Sequence, residues 1–536
     1  MLGFLFDTHP GFECYSHFGG RYDDLFLIKA VLSHNSKCPD QPIEISPIIP
    51  RGSSIFSFKL KRGDSSLTFL DSSALLPFGL ARITESFKVT HVKQTIDYTK
   101  IKKITPKLLR YLEYDCRGLY ESLEKFWGWD FIKRSGKAQT IASQSLRVLR
   151  TFLRGGISSL SDEYDDFSRK SYIGGRVEIF KPFYEGSAKK LYNYDVNSLY
   201  PSVMLKHDFP NNFQGETKEY VENELGIYEV IVTVPRMHVP PLGKVRNGKL
   251  IFPTGTFRTV CTSAEIEYCK TLGCSFEIIH GHVFSNAGRI FRRFVKKLYA
   301  VRLKADRGSV DDIIAKLLLN SCYGKFGQRT DREQIVFDDG SEGLKPFGRD
   351  NILSVGTKKY RLMLKDVELD CFSNVAIASF VTAYARIHMH KLYLKCGDSL
   401  YYTDTDSIFT TKKLPIGEGL GKLKLEGEFE SACFLLPKTY IAGTKIVMKG
   451  FEKKKLKDFQ LSDFTDALQG EMQALKIKSE PKFATLKTAI RSGNLTSMTK
   501  GSTRQIRSVY DKRIMLKSAD LNDWKTKPIR LKRKEK

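Results

Sequence analysis

The chain has 536 residues, of which 41% are apolar and 12% aromatic, enough to fill the cores of several globular domains. Its 87 Lys+Arg against 60 Asp+Glu leave a formal charge of +27, which points to a polyanionic partner, nucleic acid ahead of a membrane surface. The most apolar stretch, Val375 to Ala385, is short and broken by Ser379 and Thr382, which sets aside a spanning helix. The ten cysteines include no CxxC pair, and the grouping Cys261, Cys269 and Cys274 lacks zinc-ribbon spacing, so they read as reduced thiols. The start, Met1-Leu2-Gly3-Phe4, has neither a basic signal region nor an Arg-rich transit pattern, and action in the compartment of synthesis is expected.

Residues 1 to 165 alternate short β-like runs with polar turns and end in helical patterns, an α/β layout. Within them His17 to Leu27 carries Asp23, and Tyr111 and Asp115 stand one helical turn apart on a common face. Residues 150–170, with Gly155-Gly156, Ser158-Ser159 and the acidic run Asp162 to Asp166, predict a linker. In Tyr172-Ile173-Gly174-Gly175-Arg176 two glycines let the backbone approach a phosphate closely, flanked by a ring that can stack and a cation. A strand-like run then ends at Asp195, and Pro201 is expected to close the turn that follows. Residues 215–280 predict a small β-rich insert punctuated by Pro235, Pro240-Pro241, Pro253 and Gly255.

From Asn286 an amphipathic helix places Arg289, Arg292, Arg293, Lys296, Lys297, Arg302 and Lys304 opposite an apolar stripe of Ile290, Phe291, Phe294, Val295 and Leu298. Ser309 is expected to cap the next helix, whose first turn holds Asp311 and Asp312 and whose polar face carries Lys316, Asn320 and Tyr323. The polar loop Asp338 to Gly343 precedes an apolar-faced helix over 375–390, on which His388 and His390 are two apart and do not share a face for a metal. Tyr402-Thr403-Asp404-Thr405-Asp406-Ser407 reads as a strand-turn-strand with both carboxylates at its tip, a concentration of charge that calls for a hard cation such as Mg2+ whose shell phosphates complete. Pro437-Lys438-Thr439-Tyr440 and Lys449-Gly450 follow, and residues 446–536 read as helical and basic.

Three of these stretches, in order, carry a resemblance: Asp195-Val196-Asn197-Ser198-Leu199-Tyr200-Pro201-Ser202-Val203-Met204, Lys316-Leu317-Leu318-Leu319-Asn320-Ser321-Cys322-Tyr323-Gly324, and the Tyr402 to Ser407 turn. They resemble motifs A, B and C of family B DNA polymerases, most closely the protein-primed branch of some phages, adenoviruses and linear mitochondrial plasmids. The resemblance implies an α/β multidomain fold in which an RNase H-like exonuclease domain precedes a right-hand polymerase of palm, fingers and thumb. On that pattern residues 1–165 form an incomplete exonuclease-like domain, 166–214 the first part of the palm, 215–284 a first terminal-protein-region-like insertion, and 285–330 the fingers. Residues 331–360 form the second such insertion, 361–445 the rest of the palm, and 446–536 the thumb and basic tail.

By the same resemblance Asp195 and Asp406 are catalytic and hold two Mg2+ ions, for which Mn2+ can substitute, with Asp404 in an auxiliary role. Tyr200 lies under the incoming sugar and leaves no room for a 2′-hydroxyl. Lys316 grips the triphosphate, with Asn320, Tyr323, Arg302 and Lys304 around the nucleotide. Tyr172, Gly174, Gly175, Arg176, Ser72, Lys438, Tyr440 and Lys449 are expected DNA contacts. Asp23, Tyr111 and Asp115 match the second and third exonuclease motifs, but Phe18 stands where the family has Asn, and the sole upstream candidate for its Asp-x-Glu, Asp7-Thr8-His9, lacks the Glu. Two-metal hydrolysis needs about four carboxylates, so an N-terminally truncated domain with absent or impaired proofreading is expected.

The expected partners are primer-template DNA, dNTPs and a terminal protein primer, bound by a monomer without membrane contact. The expected setting is the mitochondrion, as for linear plasmids, with a virus or host cytoplasm as the alternative. The rival reading is a non-catalytic DNA-binding remnant of such an enzyme. A reverse transcriptase fits poorly because its palm turn presents adjacent aspartates.

Overall fold

In the computed structural model, strand Leu191–Val196 is buried along most of its length, as its run of Leu, Tyr, Asn, Tyr and Val requires, and it lies inside a five-stranded antiparallel sheet. The order across that sheet is Leu423–Phe429, Leu191–Val196, Ser407–Thr410, Leu400–Asp404 and Val177–Ile179. The structure describes residues 2–533 except 98–100, 102, 187, 330, 339–342, 347–351, 356–357, 369–373, 452, 480, 493 and 500. Helix Val375–Cys396 is buried on nearly all sides, and Phe380, Val381, Ala385, Met389 and Tyr393 join Leu400 and Ile408 of the sheet in the largest core. Two further helices, Arg292–Lys304 and Val310–Phe326, extend that core through Phe294, Leu298, Ile314 and Leu318.

The amino-terminal region has its own sheet, in which Glu13–Ser16 runs parallel to Ser65–Asp71 and Ser54–Arg62 follows antiparallel. Its core of Leu25, Ile28, Val31, Phe58 and Leu67 also takes in Ile335 and Leu362 from the pair Asp331–Phe337 and Lys358–Glu368, tying that hairpin to this domain. Residues 210–286 build a separate antiparallel sheet of Pro210–Thr217, Ser275–Asn286, Leu225–Val234 and Thr254–Thr262, to whose edge Arg530–Leu531 adds in parallel. Among the described residues no cysteine is paired, and no helix is long and apolar enough to cross a membrane.

Three expectations are corrected. The acidic run in the supposed linker is helix Asp162–Arg169, whose first-turn Asp162, Glu163 and Asp165 complement the helix dipole while Ser168 is buried against helix Val375–Cys396, its carbonyl accepting from Ser379 Oγ (3.4 Å). Pro201 does not close a turn. It sits in the first turn of helix Leu199–Lys206, where its missing N–H costs nothing. Among the described residues of 446–536 the regular elements are chiefly short strands, with α-helices Leu461–Gln469 and Leu486–Arg491 between them, because basic residues there alternate with apolar ones at strand spacing, as in Leu475–Ser479. Residues 339–342 of the polar loop and 534–536 of the basic tail lie outside the described residues.

Candidate active site

The sheet brings two distant segments together. Ser407 pairs with Asp195 across adjacent strands, and the Val196 N–H donates to the Asp406 carbonyl (2.9 Å), so Asp195 and Asp406 share the same end of the sheet. The turn between the hairpin strands holds Thr405 at φ 61°, rare for a β-branched residue, and its N–H donates to the Arg176 carbonyl (2.8 Å). Gly175 lies against this turn so closely that a Cβ there would stand 2.8 Å from Thr405 Cγ2. Downstream of Asp195, Asn197 is tied at both ends: its N–H donates to Lys422, its carbonyl accepts from Gly421 (2.8 Å), and Ser198 turns through φ 51° into the Tyr200 helix.

The three carboxylates differ electrostatically. Asp404 accepts both oxygens' worth of bonding from Lys438 Nζ (2.7 and 2.8 Å), a cation held at φ 60° by its own backbone turn. Asp195 is pushed up to about 7, first by burial, then by the charges of Asp406 and Glu426, with Lys424 and Lys316 acting against them. Burial and Asp404 also raise Asp406, against its backbone hydrogen bond and Lys438. Asp195 and Asp406 thus form a half-buried pair of like charges, and a donor set of hard carboxylate oxygens fits divalent cations such as Mg2+.

Over this pair stands helix Val310–Phe326. Lys316, Asn320 and Gly324 are exposed on it, while Ile313, Ile314, Leu318, Leu319 and Cys322 are buried. Tyr323 stacks on Tyr200 with ring centroids 4.6 Å apart and planes at 22°, joining the two motif helices in one aromatic wall. Ser309 occupies the N-cap position without a capping bond; Asp312 instead accepts the Gly308 N–H (2.9 Å). Lys304 is exposed at the end of its helix. Arg302 is not free for phosphate alone: its Nε donates to Asp312 (2.8 Å) and its Nη1 to Ser198 Oγ (3.0 Å), clasping both helices to the turn after Asp195.

Several expected DNA contacts are corrected. Arg176 is 3% exposed, ion-paired with Glu178, and donates from Nη1 to the Pro240 carbonyl (2.7 Å), so it supports the loop from within. Ser72 is buried and donates to the Ser16 carbonyl (2.7 Å). The Tyr440 ring lies in the core among Tyr402, Phe409 and Phe434. Tyr172 is half-buried against Gly327, where a Cβ would stand 2.4 Å from its ring. Gly174 and Lys449 are exposed. Arg386 had no motif to mark it; from the apolar helix it donates to the Ile173 carbonyl (2.5 Å) and to Glu265 (2.7 Å), fixing the Tyr172 to Arg176 loop.

In the amino-terminal domain Tyr111 and Asp115 do share a face of helix Pro106–Gly128, because Lys93 reaches both, donating to Tyr111 Oη at 2.6 Å. A lone lysine in an irregular segment offered no pattern to find it by. Asp23 opens helix Asp23–Lys37 beside Asp24 and Asp71, and Asp71 accepts from the Phe18 and Ser73 N–H groups. Burial, then Asp71 and Asp23, push Asp24 up to about 7. Asp7 lies on helix Leu2–Thr8, ion-paired with Arg62.

The whole arrangement has a known counterpart. Phi29 DNA polymerase bound to primer-template DNA and incoming nucleotide superposes with a TM-score of 0.75 at 21% identity, covering 94% of this chain and 92% of that one. The fold is therefore that of a family B DNA polymerase, an exonuclease-like domain followed by palm, fingers and thumb. Residues 99–399 match the family described as DNA polymerase type B, organellar and viral, and the chain belongs to that family. A probable DNA polymerase of Neurospora intermedia is 26% identical over 516 residues, 81% of this chain and 51% of that protein. The DNA polymerase of Bacillus phage phi29 is 27% identical over 463 residues, 78% of this chain and 74% of that protein. The chain spans about half the length of the fungal relatives it matches, 41% of a probable DNA polymerase of Ascobolus immersus.

Proposed function

We propose that this chain is a DNA-directed DNA polymerase that adds deoxynucleotides to a 3′-hydroxyl by nucleotidyl transfer. The observation that carries the reading is the Asp195 and Asp406 pair, set side by side by the Ser407–Asp195 register and, among the described residues, without a direct ion pair to either, whereas Asp404 has Lys438. Asp195 and Asp406 would hold two Mg2+ ions, or Mn2+ in their place, which when bound would supply charge to activate the attacking hydroxyl and to offset the departing pyrophosphate. Lys438 keeps Asp404 occupied and so fixes the turn rather than sharing the cations equally. Lys316 extends toward the pair and donates to triphosphate oxygens, with Asn320 beside it. The Tyr200–Tyr323 stack forms a rigid floor that excludes a 2′-hydroxyl.

A basic cleft of about 690 Å³ lined by Tyr15, Lys137, Arg147, Lys325, Arg329 and Arg332 lies between the amino-terminal domain and the fingers and suits single-stranded template. The residues 215–284 and 331–360 are read as the surfaces that meet a terminal protein, whose hydroxyl accepts the first nucleotide, and the enzyme as a monomer. Proofreading is read as absent or impaired: Asp7 lies on a helix and is paired with Arg62, and among the described residues no Asp-x-Glu strand joins the Asp23, Asp24 and Asp71 group. Fungal and phage relatives fit a plasmid-like or viral element; the mitochondrion is the first reading of its setting and a virus or host cytoplasm the second.

The test is primer extension with Mg2+ beside a lane without dNTPs. Extension with dNTPs and an intact primer without them supports the proposal. Salt-sensitive DNA binding without extension favours a non-catalytic remnant, and primer shortening overturns the reading of the exonuclease domain.

A further inference from the structure

Downstream of Asp195, strands Pro210–Thr217 and Ser275–Asn286 bring three ligand-type side chains together. His280 and His282 are two apart on one strand and so project from the same face, and Glu216 is in direct register with His282 on the neighbouring edge strand. The Nε2 atoms of His280 and His282 each lie 3.9 Å from a Glu216 carboxylate oxygen, and donor atoms of all three residues fall within 4.8 Å of one another. These contacts are too long for hydrogen bonds. An imidazolium paired with a carboxylate would draw nitrogen and oxygen to about 2.7–2.9 Å, which neither histidine has done. Donors bound to one zinc ion at 2.0–2.2 Å stand roughly 3.3–3.6 Å apart, so the two His–Glu pairs at 3.9 Å need close by only a few tenths of an ångström and the widest pair, within 4.8 Å, by up to about 1.5 Å, a shift that side-chain rotation covers.

The surroundings are built rather than incidental. His282 is 2% exposed, and among the described residues its Nδ1 has no hydrogen-bond partner. Its ring is braced by Phe167 at 4.1 Å between centroids and edged by Tyr164 and Phe213, which stack on each other at 3.7 Å. Glu216 is 52% exposed, so the open side of the cluster faces water. Two imidazoles and one carboxylate suit zinc, and the imidazoles discriminate against the Mg2+ that all-oxygen sites take.

We propose that Glu216, His280 and His282 bind one Zn2+ ion, with water as the fourth ligand, and that the ion clasps the edge strand Pro210–Thr217 to Ser275–Asn286. The edge strand leaves the helix that follows Asp195, and Ser275–Asn286 leads into the fingers helix Arg292–Lys304. The clasp therefore joins the entry and exit of the insertion at the base of the fingers.

The experiment uses the full chain without a histidine tag, stripped of metal and held in excess Mg2+ so that the palm carboxylates are occupied. Zn2+ is titrated against a chromophoric chelator, Co2+ is used for visible absorption, and the thermal midpoint is read with and without Zn2+. The wild type is expected to bind one zinc, to show an intense low-symmetry Co2+ spectrum and to melt higher with Zn2+. Glu216→Gln and His280→Asn alter side chains that are partly exposed, and each is expected to weaken Zn2+ at least tenfold, to lose the Co2+ spectrum and to lose the thermal response, while circular dichroism stays that of the wild type. Equal Zn2+ affinity in wild type and both variants means that the ion settles elsewhere and overturns the proposal, as does a folded wild type that takes up no zinc.

Discussion

Asp195, Asp404 and Asp406 lie within one small region yet carry different burdens. Lys438 neutralises Asp404, which leaves Asp195 and Asp406 to face each other. If Asp406 holds a cation as proposed, Asp406→Asn is expected to lower primer extension by roughly 10³-fold or more, several kcal/mol of charge stabilisation, while a gel-shift assay reports unchanged DNA affinity. Tyr200→Val removes half of the stack with Tyr323 and is expected to raise ribonucleotide incorporation by about 10²-fold, read as the ratio of kcat/KM for dNTP and rNTP. Asp24 supplies a pH prediction. Its carboxyl is held at about 7 in the fold against an ordinary 3.8, so the fold retains this proton longer than the unfolded chain does. The associated stability is complete below pH 3.8 and is lost as pH rises through 7. Asp24→Asn is expected to match the wild type in thermal midpoint at the acid end and to exceed it increasingly up to pH 8. At this scale the sequence reveals chemistry better than direction. The motif carboxylates and Lys316 are marked by their neighbours, but nothing local says that Arg176 turns inward to Glu178 or that Ser72 faces the Ser16 carbonyl, because both partners are set by tertiary packing.

The turn between Leu400–Asp404 and Ser407–Thr410 owes its shape to elements that are not adjacent in sequence. Gly175 touches Thr405, the Arg176 carbonyl binds the Thr405 N–H, and Arg386 holds the Ile173 carbonyl from the long buried helix. Gly175→Ala would place a methyl group 2.8 Å from Thr405 Cγ2, and displacing the turn is expected to lower kcat by up to about 10²-fold with little change in thermal midpoint. The helical polar face of Lys316 and Asn320 was legible from spacing alone, since a 3.6-residue period has one outcome on a packed helix. The strands of residues 446–536 were not, because runs such as Lys476-Ile477-Lys478 are as compatible with an amphipathic helix turn as with a strand until a partner, here Ser502–Ile506, supplies the ladder.

Across the molecule, the carboxyl-terminal region returns to the palm. Arg513 is fully buried; its Nε donates to Thr526 Oγ1 (2.8 Å), its Nη2 to the His238 carbonyl (3.0 Å), and its Nη1 lies 3.8 Å from Glu178. Tyr510 Oη accepts the Ile179 N–H at 3.0 Å, so the palm's edge strand depends on this segment. Arg513→Met is expected to destabilise the fold by about 3–5 kcal/mol, because Glu178 loses part of its charge compensation at 1% exposure, and urea unfolding measures it. The formal +27 that first suggested a polyanionic partner sets the expected salt dependence: DNA affinity should fall steeply and linearly on logarithmic axes as salt rises. The right-hand polymerase fold was readable from the motifs, whereas this return was not, since no local pattern in Tyr510 to Arg513 names a strand so distant.

That return has a consequence for how the protein is made. Lys512 donates to the Val177 carbonyl across 335 residues of chain. At a synthesis rate of roughly 5–20 residues per second, strand Val177–Ile179 and its acid Glu178 wait on the order of tens of seconds on the ribosome for the segment that completes them. Through that interval the nascent palm exposes an unfinished sheet edge, and chaperone occupancy during translation is expected to govern how much of the chain reaches the folded state.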